Sequence, residues 1–453
     1  MLRRVVQKAG AGLAIFLCLA AGSATAETLG DAFASAYKNS GLLEQNRALL
    51  RAADEDVALA VARLRPVLNY VLRSDYSSVT ETTSSNLNLS ASMVLYDFGR
   101  SNLRVELARE NVLSLREALV GVEQNVLLRA VAAYATMKRE MAVVSLRRKT
   151  LGLIEQELEA ARDRFEVGQI TRTDVALAEA RLAASKAALA SARGTLAVAR
   201  EDYRAAIGHY PDQLAALPAP PKLPRTLEAA IAIARQTHPD LAQARRSVAV
   251  ADLNVALSKA AVLPTLSGNA NLTVDEDGND VSSVGISLSG PIYQGGALAA
   301  AARKSAAQRD AARAALHMVS VAVEQNVGSA WARVSVADAG LSATDQQIRA
   351  ARVALRGVRK EAELGARTTL DVLNAEQELQ DAEASRLTAQ ADRYTAIYNL
   401  LASMGLLTVE HLGLGIVEYD PAAYYNAVRK APVQQVSPQG RRLDSLLQSL
   451  GKN

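Results

Sequence analysis

Asn86-Leu87-Asn88-Leu89-Ser90-Ala91-Ser92-Met93-Val94-Leu95 sets Leu87, Leu89, Ala91 and Met93 on one side of an extended chain and Asn88, Ser90 and Ser92 on the other. Such period-two alternation marks a strand with one polar and one apolar face. Ser283 to Ile292 repeats it, with Val284, Ile286 and Leu288 against Ser283, Gly285, Ser287 and Ser289. Each stretch has an upstream companion rich in polar and β-branched residues, Val67 to Tyr76 and Leu266 to Val274. The polar run Asp275-Glu276-Asp277-Gly278-Asn279-Asp280 reads as a hairpin turn. Strands are therefore expected at about 67–76, 86–95, 266–274 and 283–292, close to the roughly 9–11 residues of a tilted transmembrane strand. Four strands cannot close a barrel, and lipid tolerates no open sheet edge, so a spanning reading requires several copies. The competing reading is a soluble pair of hairpins packed on helices. Tyr70, Tyr76, Tyr96, Phe98 and Tyr293, near the strand ends, suit an interfacial aromatic belt.

Working outward, the chain contains itself twice. Thr28-Leu29 recurs as Thr226-Leu227, Pro66 as Pro264, Tyr96 as Tyr293, Tyr134 as Trp331, Asp174-Val175 as Asp371-Val372, and Gly208 as Gly405, at an offset constant to one residue. Two pseudo-equivalent halves are expected rather than a short-period solenoid. No proline lies between Pro66 and Pro211 or between Pro291 and Pro421, so each half holds a long stretch permissive for helix. Pro211, Pro218, Pro220, Pro221 and Pro224 mark the junction. The expected division is a first repeat over 27–210, a proline-rich linker over 211–225, a second repeat over 226–411 and a C-terminal segment over 412–453. In that last segment Pro421, Pro432 and Pro438 break the pattern, and Arg441-Arg442 opens a short amphipathic run, Leu443 to Leu450.

Within the first repeat Val105, Val112, Leu119, Val126 and Ala133 recur every seven residues, with Ala108, Leu115 and Val122 at the complementary positions. That is an a/d seam. Ile348, Leu355 and Ala362, with Ala351 and Val358, repeat it. A helix from about Ser101 to Glu166 would run roughly 100 Å, longer than a globular core needs. With only four Phe and one Trp the chain cannot easily build a bulky core, whereas its Ala and Val favour helices in close contact. Gly168 and Gly365 fall where such helices must stop and reverse, which favours a residue free to take positive φ. Thr171 with Asp174, and Thr368 with Asp371, have the spacing of a capping box for the returning helices.

The N-terminus reads as a secretory signal over 1–26, with Arg3, Arg4 and Lys8, then an apolar stretch from Gly10 to Ala21, then Ala24-Thr25-Ala26. Cleavage is expected before Glu27. The single cysteine, Cys18, lies inside that segment, so the mature chain is expected to hold no disulfide or thiolate metal site. Its neighbours Phe16, Leu17 and Leu19 make a poor lipidation signal. Losing the three cations takes the formal charge from +4 to +1, which removes the main support for nucleic-acid binding. No later stretch offers the roughly 18 uninterrupted apolar residues of a transmembrane helix. His209, His238, His317 and His411 are widely separated, and no phosphate loop or nucleophile elbow is evident. No catalytic residue, metal or cofactor is expected.

Helix, hairpin, long helix, sharp turn and returning helix, given twice over about Thr28 to Thr408, resembles the TolC family of trimeric outer-membrane efflux and secretion channels. The most specific pieces are Leu288-Ser289-Gly290-Pro291-Ile292-Tyr293-Gln294-Gly295-Gly296, which looks like the family's strand-to-helix corner, and Leu364-Gly365-Ala366-Arg367-Thr368-Thr369-Leu370-Asp371-Val372-Leu373-Asn374, which looks like its helix-tip motif. Tyr96-Asp97-Phe98-Gly99 and the stretch from Phe165 to Val175 are the first-repeat equivalents.

The resemblance implies a mainly α chain with transmembrane β, assembled as a homotrimer. A twelve-stranded outer-membrane barrel would be continued by a twelve-helix α-barrel through the periplasm. It implies a passive duct docked to a periplasmic adaptor and an inner-membrane ABC exporter or RND pump, surrounded by outer-membrane lipid. Cargo would be secreted protein or small toxic compounds; the wording of Leu364 to Leu373 leans toward secretion. The turns at Val167, Gly168 and Gln169 and at Leu364, Gly365 and Ala366 would mesh with the adaptor. At the periplasmic mouth Arg367 would bond near Thr173 or Asp174, and Asp371 would face the pore as a three-fold carboxylate ring able to hold cations. Two departures weaken that gate: Asn374 stands where the family carries a second carboxylate, and Ala362 where a tyrosine is expected. The alternative is a soluble periplasmic coiled-coil adaptor or structural protein, which should show one helical hairpin, flanking β-rich domains and an inner-membrane anchor.

Overall fold

The computed structural model describes residues 26–431 and residue 445. Cys18 and the rest of the signal segment up to residue 25, Pro432, Pro438 and the terminal amphipathic run other than residue 445 lie outside the described residues.

Helices α1 (Leu29–Asn39) and α2 (Gly41–Ala62) lead into strands β1 (Val67–Ser77) and β2 (Thr82–Tyr96), then the long helix α3 (Arg100–Glu166) and the returning helix α4 (Arg172–Ile207). The order then repeats as α5 (Leu227–Thr237), α6 (Pro239–Ala260), β3 (Thr265–Asp275), β4 (Asp280–Ser289), α7 (Ala297–Glu363) and α8 (Thr369–Ser403). Two short helices close the described chain, α9 (Val409–Leu412) and α10 (Pro421–Val428). Both long helices have 67 residues, so the duplication preserves length as well as order. Local chemistry sets the starts. Ser40 Oγ accepts from the Leu43 N–H, Thr226 Oγ1 from the Ala229 N–H, and Pro239 occupies the first turn of α6.

The chain divides into two compact units, to both of which α3 and α7 contribute. Among the described residues the first comprises Ser40–Val126, Leu223–Val334 and those from Tyr398 onward, and it carries the sheet. Its strands run in the order β1-β2-β3-β4, every neighbouring pair antiparallel, so the two hairpins join through β2 and β3. Register sorts the side chains by face. Leu68, Tyr70 and Leu72 pair with Ala91, Leu89 and Leu87, and these with Ala270, Leu272 and Val274. The opposite face carries Asn69, Asn88, Ser90, Asn271 and Thr273, with Asn88 Nδ2 donating to Thr273 Oγ1 at 2.9 Å. The apolar face is not covered by this chain: Tyr70, Val284 and Ile286 are 76%, 87% and 72% exposed. Below the sheet, Leu50, Ala53 and Val57 of α2 pack on Ala108 and Val112 of α3, with Tyr419 and Tyr425 against them. Arg116 Nη2 donates to Pro421 O at 3.1 Å, and Tyr424 Oη–H donates to Glu55 at 2.7 Å, which ties α10 to the same bundle.

Among the described residues the second unit comprises 26–39, Leu127–Lys222 and Ser335–Ile397. Its N-terminal segment forms a parallel bridge, Glu27 to Leu214, with the proline-rich linker. The wholly buried Tyr134 staples the pair, its hydroxyl lying 2.9 Å from both Glu27 O and Ala215 O, while Lys138 Nζ donates to Leu214 O at 3.0 Å. Buried backbone carbonyls need such donors, and here two side chains of α3 supply them.

Candidate functional site

The second unit ends in two helical hairpins of matching design. At the tip of α3 the Gln169 N–H donates to Arg164 O at 2.8 Å and the Gly168 N–H to Phe165 O at 2.9 Å. At the tip of α7 the Ala366 N–H donates to Glu361 O at 2.8 Å and the Gly365 N–H to Ala362 O at 3.0 Å. Both pairs are Schellman stops, and the two glycines carry φ of 74° and 75°. Returning helices begin at once. Thr171 Oγ1 takes the Asp174 N–H and Asp174 Oδ2 takes the Thr171 N–H, completing a capping box. Thr368 and Asp371 do the same at 3.2 and 3.0 Å. These hydrogen bonds hold both aspartates below the usual carboxylate range, with Arg367 assisting at Asp371.

Val167, Gly168 and Gln169 at one turn, and Leu364, Gly365 and Ala366 at the other, are all exposed, Val167 by 69% and Leu364 by 85%. Thr173 and Arg367 are exposed and Asp371 half-buried. Within one chain the Arg367 guanidinium is committed to Glu361 at 2.9 Å rather than to Thr173 or Asp174. Asn374 accepts from Arg181 Nη2 at 2.5 Å, so the amide joins the first hairpin to the second. Leu373 packs with Leu158, Ala161 and Ala178 between the same two hairpins.

Arg359 is a central residue here that pattern reading passed over. It donates to Glu376 at 2.6 Å and stands 3.7 Å from Glu157, bringing α3, α7 and α8 together. Burial pushes the Glu376 carboxyl up, Arg359 opposes this and Glu157 adds to it. The signal was available: Glu376 and Gln380 interrupt, one turn apart, the buried stripe that Val372 and Leu373 begin. Among the described residues no group of three or more His, Cys, Asp or Glu could hold a metal ion, and no helix is long and apolar enough to cross a membrane.

With this geometry in place, comparison decides the family. Residues 33–209 and 230–406 each match the outer membrane efflux protein family, one match for each half. The outer membrane efflux protein BepC of Brucella suis is 34% identical over 429 residues, covering 92% of this chain and 94% of that one. The chain belongs to the outer membrane efflux protein family. Outer membrane protein TolC of Vibrio cholerae is 26% identical over 406 residues, covering 84% of this chain and 92% of TolC. Among solved structures, the outer membrane protein VceC of Vibrio cholerae shares the fold with a TM-score of 0.70 at 21% identity, covering 83% of this chain and 96% of that one. The TolC-family resemblance read from the tip and corner motifs is thereby confirmed, as is the mainly helical, twice-repeated fold with its four strands. As an outer membrane efflux protein, the chain serves as an exit duct from the cell, placed in the outer membrane with its helical portion in the periplasm.

Proposed function

We propose that three copies of this chain close a twelve-stranded barrel through the outer membrane and a twelve-helix tunnel below it. The sheet carries this reading: β1 and β4 end it with unpaired edges, and its apolar face lies open. In lipid those edges must pair, and β4 of one copy has the antiparallel β1 of the next as a partner of its own kind. The first 26 residues are removed on export, which leaves Glu27, already bridged to Leu214, as the mature terminus. The duct performs no chemistry. Its exposed glycine turns dock a periplasmic adaptor, an ABC exporter or RND pump in the inner membrane supplies the energy, and that pump selects between secreted protein and small toxic compounds.

At the mouth, Asp371 of each copy contributes to a ring of three carboxylates. Thr368 engages Oδ2 and holds the carboxyl ionised, which suits a ring that must keep its charge beside its like. Arg367, now on Glu361, exchanges to Thr173 or Asp174 of a neighbour in the closed mouth, and Asn374 stays with Arg181. Single-channel recording in planar bilayers tests this. The purified protein should show a discrete conductance blocked by divalent cations from the periplasmic side, with Asp371→Ala weakening the block about tenfold. An unchanged block in Asp371→Ala would reject the ring, and no conductance in the parent would reject the duct.

A further inference from the structure

The foot of the sheet holds a cleft that the duct does not use. It has a volume of about 480 Å³ and lies among the end of α2, the first turns of α3 and the end of α10. Four cations line it, Arg65, Arg109, Arg429 and Lys430, against a single carboxylate, Glu106. The Arg65 guanidinium donates to the carbonyl oxygens of Lys430 and Ala431, which fixes α10 as one wall. Arg109, Arg429 and Lys430 are exposed, and among the described residues none forms a salt bridge. Like charges so gathered repel unless an anion joins them. Val61, Leu64 and Val105 supply an apolar side to the same cleft, so its ligand is amphiphilic rather than a bare ion.

Position identifies the source of that anion. Arg65 and Pro66 immediately precede β1, and Leu68 of that strand is 79% exposed. The cleft therefore sits where the periplasmic helices give way to the membrane-spanning sheet, at the level of the lipid headgroups. We propose that it binds the phosphate of an anionic phospholipid in the periplasm-facing leaflet, with the guanidinium groups on the phosphate oxygens and the glycerol end against Val61 and Leu64. The inference rests on the sheet crossing the outer membrane.

Native mass spectrometry of the full-length assembly in detergent, titrated with phosphatidylglycerol or phosphatidylcholine, tests it. Phosphatidylglycerol should be retained in preference, and retention should fall with rising salt. Combining Arg109→Gln, Arg429→Gln and Lys430→Gln should weaken that retention about tenfold, while Lys186→Gln with Arg193→Gln should leave it unchanged. Arg65 is kept because it holds α10. Equal retention by both variants, or equal binding of the two lipids, would overturn the site. Displacement by an equal concentration of inorganic phosphate would overturn the lipid as its occupant. Conductance of the parent, recorded in parallel, separates the two readings: a parent assembly that conducts but has no lipid preference removes the lipid site and leaves the duct.

Discussion

Asp54 in α2 is wholly buried, and among the described residues neither carboxylate oxygen has a hydrogen-bond partner. Burial pushes its pKa up to about 6, with Arg116 opposing and Glu55 adding. The unfolded chain releases this proton near 3.8 and the folded chain only near 6, so between those values the folded state binds more protons. Stability therefore falls as pH rises through that window and stays low above it. Asp54→Asn should flatten this slope and raise stability at pH 8 by roughly 2 kcal/mol, the shift less the burial of an unpaired amide. Thermal unfolding followed by circular dichroism at pH 4 and pH 8 measures both quantities; a variant with the parent's slope would clear Asp54 of the role. The two capping aspartates respond the opposite way. Their hydrogen bonds lower the folded pKa, so their contribution is present above the ordinary carboxylate range and is lost as pH falls through the lowered values. At this scale the sequence was readable where chemistry is local. Thr171 and Asp174 act within one turn, and their spacing announces it. Asp54 feels the charge of Arg116 on another helix, and Arg359 meets Glu157 and Glu376 on two others, so spacing alone could not mark them.

Helix and strand boundaries follow from small residues placed where backbone must turn. Gly365 and Gly405 both take positive φ, 75° and 79°, yet their surroundings differ. A Cβ at Gly365 would meet nothing within 4 Å, so Gly365→Ala should cost about 1–2 kcal/mol from backbone conformation alone. At Gly405 a Cβ would lie 2.6 Å from Thr237 O and 2.8 Å from His238 Cα. Gly405→Ala must shift the α5–α6 connection as well, and it should lower the melting temperature clearly more than Gly365→Ala does. Equal losses would mean that this connection yields freely. Period-two alternation revealed the faces of β2 and β4, and the heptads revealed long paired helices, because each repeats a single geometric rule. Strand order was another matter. Alternation does not tell a strand which neighbour it takes, so the β2–β3 joint between the repeats, and the register shift between Val94 and Tyr96, appear only in three dimensions. The short helices α9 and α10 escaped for a different reason: four and eight residues are too few to display a period.

For the whole molecule, duplication explains how one chain supplies two hairpins to one sheet and two helical hairpins to one periplasmic end. It does not explain closure. The sheet stops at β1 and β4, and the lipid-facing side chains that would be a liability in water become an asset only when every edge is paired. Closure between copies is thus the central claim, and cross-linking the edges tests it most directly. Cys18 is the single cysteine, and the proposed removal of its segment would leave no native thiol, so Tyr70→Cys on β1 and Ile286→Cys on β4 can be joined by a short bis-maleimide in intact outer membranes. With both cysteines present, the account predicts a ladder ending at three covalently linked chains, and each cysteine alone should give none above the pair. Chains that remain single under the same treatment, recovered without detergent from the soluble fraction, would contradict it.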